Sequence, residues 1–249
     1  MAVLPAAGGA QIHYEDLGDG PLLLLVHGGT GTGAYDWEMI IGPLRQRFRL
    51  VCPDLRGHGR SSDPQDLLSI EQIASDLLEL IAHLQQRPAC LIAFSIGATA
   101  ALKMLTMDPD AAECFVAIGA SRAGDPSRAP EFAAGPWPQD LQRLRHEHGA
   151  GPLHWRHLRE RLSSSWGSLQ IPEDDLKRLT LPTLVVCGDR DRIEPVESAL
   201  EIARALPRGE LLVLPACGHF VPRQRPEELL TALTLFIDRH LPAPAPASA

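Results

Sequence analysis

The run Leu91-Ile92-Ala93-Phe94-Ser95-Ile96-Gly97-Ala98-Thr99-Ala100 decides how the rest of the chain is read. Cys90 to Phe94 is uniformly apolar, as a strand covered on both faces would be, and it passes into a helix through one serine. Ala93 and Gly97, two positions either side of Ser95, are small enough for backbone to pass close to backbone at a sharp strand-to-helix turn. Such a turn pushes the Ser95 hydroxyl out of the sheet and aims the helix's first N–H groups at whatever binds beside it. A nucleophile needs that geometry. The pattern is A-x-S-x-G, one residue away from G-x-S-x-G, and a serine before a helix also serves as an N-cap. The remainder of the chain has to decide between the two.

Working outward, strands and helices alternate. Gln11 to Leu17 alternates apolar and polar residues and reads as an early, edge strand. Leu22 to Val26 is a buried strand that runs into the glycine-rich His27-Gly28-Gly29-Thr30-Gly31-Thr32-Gly33. This loop lacks G-x-x-x-x-G-K-[ST], and no lysine is near, so it is not a phosphate loop. Asp36 to Arg47 has helical spacing, Phe48 to Cys52 is a strand, and Pro53 to Ser62 is a polar, turn-rich loop. Ser69 caps an amphipathic helix bearing Ile73, Leu77, Leu80, Ile81 and Leu84 on one face. The helix after Ser95 runs to about Met107, and Cys114 to Ile118 is the next strand. Sheet-like pattern returns at Leu181 to Cys187, followed by a helix over Val196 to Leu206, the strand Glu210 to Leu214 and a helix from Pro226 to His240.

Between Ser121 and Lys177 the character changes. Pro and Gly interrupt it, Arg143, Arg145, His146, His148, His154 and His157 crowd it, and Trp137, Trp155 and Trp166 supply apolar anchors, which reads as short helices. Pro242 to Ala249 alternates Pro and Ala, as a disordered tail does. Alternating strands and helices imply an α/β fold with a mostly parallel, doubly wound sheet, whose ligands bind beyond the carboxyl ends of the strands. Gly29, Ser95, Asp191 and His219 all fall just past such ends.

Composition excludes several classes of function. With 249 residues, 45% hydrophobic and 22% charged, the chain has the make-up of an ordinary globular domain. A net charge of −8 without a Lys/Arg run offers no footprint for nucleic acid or an anionic membrane. The N-terminus lacks the basic-then-apolar pattern of a signal peptide, and no apolar run reaches the roughly 18 residues of a membrane span. A cytoplasmic protein acting on a small molecule is the expectation; oligomeric state is left open. Cys52, Cys90, Cys114, Cys187 and Cys217 contain no C-x-x-C pair and are expected as buried thiols, without disulfide or zinc. No cofactor is called for.

Serine at neutral pH needs a base in hydrogen-bond reach and a third group to fix that base's tautomer. His219, in Gly218-His219-Phe220, suits the base, and Asp191, in Gly188-Asp189-Arg190-Asp191-Arg192-Ile193-Glu194-Pro195, could accept from the imidazole; Asp189 is the rival acid. Backbone N–H groups of Ile96 and Gly29 would receive the oxyanion. His27 would brace that loop, His58 would be structural, and the histidines between Ser121 and Lys177 lack metal-ligand spacing. Cys217 as a thiol nucleophile lies too close in sequence to His219 to occupy the turn. Ile96, being apolar, offers no anion for a substrate ammonium.

H-G-G at His27–Gly29, P-D-L-R-G-H-G-R-S-S at Pro53–Ser62, the serine turn, G-D-R-D-R-I-E-P and G-H-F occur in an order and spacing that resemble the α/β-hydrolase family. The resemblance implies a core over 1–120 and 178–241, a helical lid over 121–177 between the sixth and seventh strands, and a tail at 242–249. It implies Ser95 as nucleophile, Asp191 as acid and His219 as base, with Ala93 a conservative departure in size. The arrangement of His, Arg and Trp in the lid loosely resembles valacyclovir-hydrolase-like members. The implied activity is that of a serine hydrolase on a small or medium carboxylic ester, lactone or thioester. Carbon–carbon bond cleavage or a lyase reaction on the same residues, and a non-catalytic ligand receptor, are the alternatives. Haloalkane dehalogenase and epoxide hydrolase chemistry is disfavoured, because those enzymes need a carboxylate where Ser95 stands.

Overall fold

Strands without polar residues form the middle of the sheet, because helices cover both of its faces. In the computed structural model, which describes residues 2–29, 31–127 and 151–241, the elements begin with Ala2–Ala6 (β1), Ala10–Leu17 (β2), Leu22–Val26 (β3), Gly33–Leu44 (α1) and Arg49–Pro53 (β4). Ile70–Leu84 (α2), Cys90–Phe94 (β5), Ile96–Met107 (α3) and Phe115–Ile118 (β6) follow. Gly151–Ser168 (α4), Glu173–Lys177 (α5), Thr183–Gly188 (β7), Val196–Ala205 (α6), Gly209–Leu214 (β8), Val221–Gln224 (α7) and Pro226–His240 (α8) complete it.

The sheet order is β1-β2-β4-β3-β5-β6-β7-β8. All neighbours from β4 to β8 pair in parallel; β1 and β2 are antiparallel. Along β3, Leu22, Leu24 and Val26 point to one side and Leu23 and Leu25 to the other, and none is solvent-exposed. The first side packs on Ile73, Leu77 and Leu80 of α2 and on α3; the second packs on Trp37 and Ile40 of α1 and on Leu233 and Phe236 of α8. The order reverses at β3, which has β4 on one flank and β5 on the other. The crevice above such a reversal is where doubly wound sheets bind ligands, and it opens between the ends of β3 and β5.

Two elements differ from the sequence reading. The sheet begins at Ala2, so β1 is the edge and β2 lies inside it. Only Leu4 of β1 is buried and Pro5 interrupts it, so it carries no alternating signal; an edge strand tolerates such a proline. Among the described residues between Ser121 and Lys177, one helix is short, Glu173–Lys177, but the other, residues 151–168, runs for 18 residues. Its inward stripe, Leu158, Leu162 and Trp166, recurs every fourth residue, and Pro152 sits in the first turn, where its missing N–H costs nothing. Trp137, Arg143, Arg145, His146, His148 and the tail at 242–249 lie outside the described residues, as does the side chain of Trp155. All five cysteines are free and buried.

Candidate active site

Ser95 joins β5 to α3 with φ 53° and ψ −127°, a left-handed conformation that costs a non-glycine residue about 1–3 kcal/mol. The turn is held from both sides. Ser95 N–H donates to Ile118 O at 2.7 Å, and a Cβ on Gly97 would collide with His27 O, so the serine turn sits directly against the end of β3. Ser95 makes no side-chain cap bond to its helix, which sets aside the N-cap reading.

The Ser95 hydroxyl lies 2.8 Å from His219 Nε2, and His219 Nδ1 lies 2.7 Å from Asp191 Oδ2. A carboxylate only accepts, so Nδ1 carries the proton it donates to Asp191 and Nε2 is left to accept from the serine O–H. Asp191 is itself fixed: its other oxygen, Oδ1, accepts the N–H groups of Ile193 and Glu194 at 2.8 and 2.9 Å. All three residues are buried. Gly119 has φ +59°, and a Cβ there would come within 3.0 Å of His219 Cε1, so this glycine makes room for the imidazole.

Gly29 and Ile96 lie close together, since a Cβ on Gly29 would be 3.0 Å from Ile96 Cγ1 and 3.1 Å from Leu162 Cδ1 of α4. Among the described residues neither N–H donates to a protein acceptor. Three buried side chains hold the successive peptides of this loop. Asp36 Oδ2 accepts Gly28 N–H at 2.8 Å. Because His27 Nε2 accepts Leu55 N–H at 2.8 Å, its Nδ1 carries a proton and donates it to Gly28 O at 2.6 Å. His58 Nε2 lies 3.1 Å from Gly29 O and its Nδ1 lies 2.9 Å from Arg56 O. Gly31 N–H also reaches Gly28 O, at 3.1 Å. In a trans peptide, with Gly28 C=O drawn toward His27, the Gly29 N–H must point the opposite way.

The remaining candidates separate cleanly. Asp189 is exposed and accepts Cys217 N–H at 3.0 Å, which lowers its pKa; it does not touch His219. Cys217 is buried with its thiol pKa pushed up by burial, and its sulfur lies 3.6 Å from Gln224 Oε1. Within Pro53–Ser62, Asp54 accepts from Gly33 and Arg60 N–H, and Arg56, fully buried, pairs with Asp76 at 2.6 Å and Asp63 at 3.1 Å. Among the described residues no cluster of His, Cys, Asp or Glu could hold a metal ion, and no helix is long and apolar enough to cross a membrane.

A pocket beside the serine is lined by Ser95, Ile96, Thr99, Trp166, Ile193 and Glu194. Trp166 is positioned by its Nε1–H, which donates to Ser121 Oγ at 2.9 Å, and Ser121 N–H donates to Thr99 Oγ1 at 3.2 Å. The expectation of a pocket without an anion rested on Ile96 alone. The tight turn after Asp191 also brings Glu194, a buried residue, into the lining. Asp36 and Glu194 both escaped the sequence reading. Asp36 looks like one more acid in a helix's first turn, and only the loop folded over it reveals otherwise.

The comparisons agree with this architecture. The profile of the alpha/beta hydrolase family matches residues 23–232. The 2-(acetamidomethylene)succinate hydrolase of Mesorhizobium japonicum is 28% identical over 261 aligned residues, covering 93% of each chain. The pimeloyl-[acyl-carrier protein] methyl ester esterase of Nitrosomonas europaea is 27% identical and covers 89% of this chain and 98% of its own. A meta-cleavage product hydrolase from Pseudomonas fluorescens has the same fold, with TM-score 0.82 at 20% identity over 96% of this chain and 98% of the other. The chain belongs to the α/β-hydrolase family.

Proposed function

We propose that the protein is a serine hydrolase that cleaves a small or medium carboxylic ester, lactone or thioester through an acyl-enzyme. The observation that carries this reading is the continuous line of hydrogen bonds from Ser95 Oγ through His219 to Asp191, at 2.8 and 2.7 Å. Ser95 Oγ bonds to the carbonyl carbon as its proton passes to His219 Nε2, and the carbonyl electron pair moves onto oxygen. Gly29 and Ile96 N–H receive that charge, each lowering the barrier by about 3 kcal/mol. Collapse breaks the bond to the leaving oxygen or sulfur, which takes the proton from His219. Water then gives a proton to the same nitrogen as its oxygen adds to the acyl carbon; the bond to Ser95 Oγ breaks, Oγ takes the proton back from His219, and the carboxylic acid leaves.

The relative named as a methyl ester esterase supports an ester as the scissile group. Residues 121–177 serve as the lid in this reading, with Leu162 and Trp166 facing the reacting groups. No cofactor, nucleic acid or membrane is required, and the protein acts on a free small molecule in the cytoplasm. Turnover of p-nitrophenyl acetate by the wild type, and its loss in a folded Ser95→Ala protein, is the expected result. Unchanged turnover in that variant removes Ser95 from the chemistry. Turnover of ring-opened diketones but not of esters would replace the reading with carbon–carbon cleavage.

A further inference from the structure

The side chain that no step above uses is Asp36. It is 3% exposed, stands in the first turn of α1 and, among the described residues, its carboxyl accepts one hydrogen bond, from Gly28 N–H at 2.8 Å. The loop closes so tightly over it that a Cβ on Gly31 would overlap the carboxyl group. A buried carboxyl with a single donor is costly to the fold, whereas an amide or a hydroxyl could accept the same N–H at far lower cost. The charged and titratable groups that face it are His219 from the segment after β8 and Arg223 from α7. Glu38, on the same helix as Asp36, pairs with Arg223 at 3.4 Å, and His27 holds Gly28 through its carbonyl.

Resting on the hydrolase reading, we propose that Asp36 is a positioning residue of the oxyanion hole. Its carboxylate anchors Gly28 N–H so that the next N–H, that of Gly29, is aimed at the developing oxyanion, and its charge favours the imidazolium that His219 becomes. His27 and Asp36 grip the two ends of one residue, Gly28, and so remove the rotation that would turn the Gly29 N–H away. Burial raises the Asp36 pKa to about 7, so its charge changes in the range where the enzyme would work.

The test compares wild type, Asp36→Ala and Asp36→Asn for p-nitrophenyl acetate hydrolysis and for the rate of labelling by a fluorophosphonate between pH 5.5 and 9. Asp36→Ala should lower kcat and the labelling rate about tenfold to a hundredfold, short of the loss on removing an oxyanion donor outright, with KM little changed. Asp36→Asn keeps an acceptor for Gly28 N–H and should recover at least part of that loss. It should also change the acid limb of the wild-type profile, because the charge at position 36 no longer varies with pH. If Asp36→Ala does not fold, the pH profile of Asp36→Asn carries the test alone. An active wild type whose acid limb is unchanged in Asp36→Asn overturns the assignment, as does a folded Asp36→Ala with kcat within twofold of wild type. A wild type that takes no label and hydrolyses no ester overturns the hydrolase reading itself.

Discussion

Among the described residues, two buried clusters contain histidine and carboxylate, and one of them is arranged to move a proton. Around His219, one ring nitrogen faces a carboxylate and the other faces a hydroxyl that can give up its hydrogen. Around His27 and His58, whose rings meet edge to face at 5.0 Å, three of the four ring nitrogens face backbone carbonyl oxygens and the fourth accepts a backbone N–H. A carbonyl oxygen offers no exchangeable proton, so the second cluster can only hold shape. What a buried histidine does is set by the atom opposite its second nitrogen, more than by burial or by the number of acids nearby.

That contrast is broken most severely at the nucleophile. Ser95→Ala should lower kcat/KM by at least about 10⁴-fold without unfolding the protein, and Asp191→Asn, by permitting the wrong imidazole tautomer, by about 10⁴-fold. His58→Gln should fall far short of either, so a comparable loss would show that the bracing cluster takes part in the chemistry. Next in size is a pure stability effect. Arg56→Ala leaves Asp76 and Asp63 buried without their cation, and such losses cost about 3–5 kcal/mol. Thermal melting should drop sharply while kcat per folded molecule changes little.

The pH dependence of melting sharpens the contrast with opposite signs. Burial lowers the His58 pKa below 6.5, so the unfolded chain takes the proton first and stability is withdrawn as pH falls through 6.5. His58→Gln should flatten that acid limb. Asp36 behaves the other way: moved from 3.8 to about 7, it binds its proton more tightly when folded, so stability is lost as pH rises from about 4 to about 7. A shift of that size is worth on the order of 4 kcal/mol between the two ionisation states, so Asp36→Asn should gain melting temperature over wild type increasingly toward pH 8. A gain in stability with a loss of kcat would mark Asp36 as a group kept for activity. The smallest effect belongs to the rival acid: Asp189→Asn keeps an oxygen to accept Cys217 N–H and removes only a charge remote from His219, so kcat should stay within about twofold of wild type and the melting temperature should hardly move.

The parts legible in the sequence are those whose chemistry is local. Cys90–Phe94 and Leu22–Val26 announce buried strands by lacking polar residues, and Ser69 announces a helix start because its hydroxyl needs only Gln72 N–H, three residues on. Ser95 is legible because its strain demands small residues at Ala93 and Gly97. Ser95 and His219 stand 124 positions apart, and their meeting follows from the strand order, which the alternation of strands and helices implies only in outline. Asp36, Glu194 and the β1 strand escaped for the complementary reason. Nothing in their own residue types marks them: Asp36 takes its meaning from the Gly28 loop eight residues before it, β1 from its pairing with Ala10–Leu17, and Glu194 from the pocket it shares with the remote Ser95.

The most direct test of the central claim is the intact mass and peptide map of the protein after exposure to a fluorophosphonate. The Ser95 oxygen should displace fluoride from phosphorus, and the adduct should map to the peptide containing Ser95. It should form at least about 10³-fold more slowly in His219→Ala, whose hydroxyl has no base. A folded wild type that acquires no adduct, or acquires it elsewhere, or reacts equally fast without His219, would contradict the account.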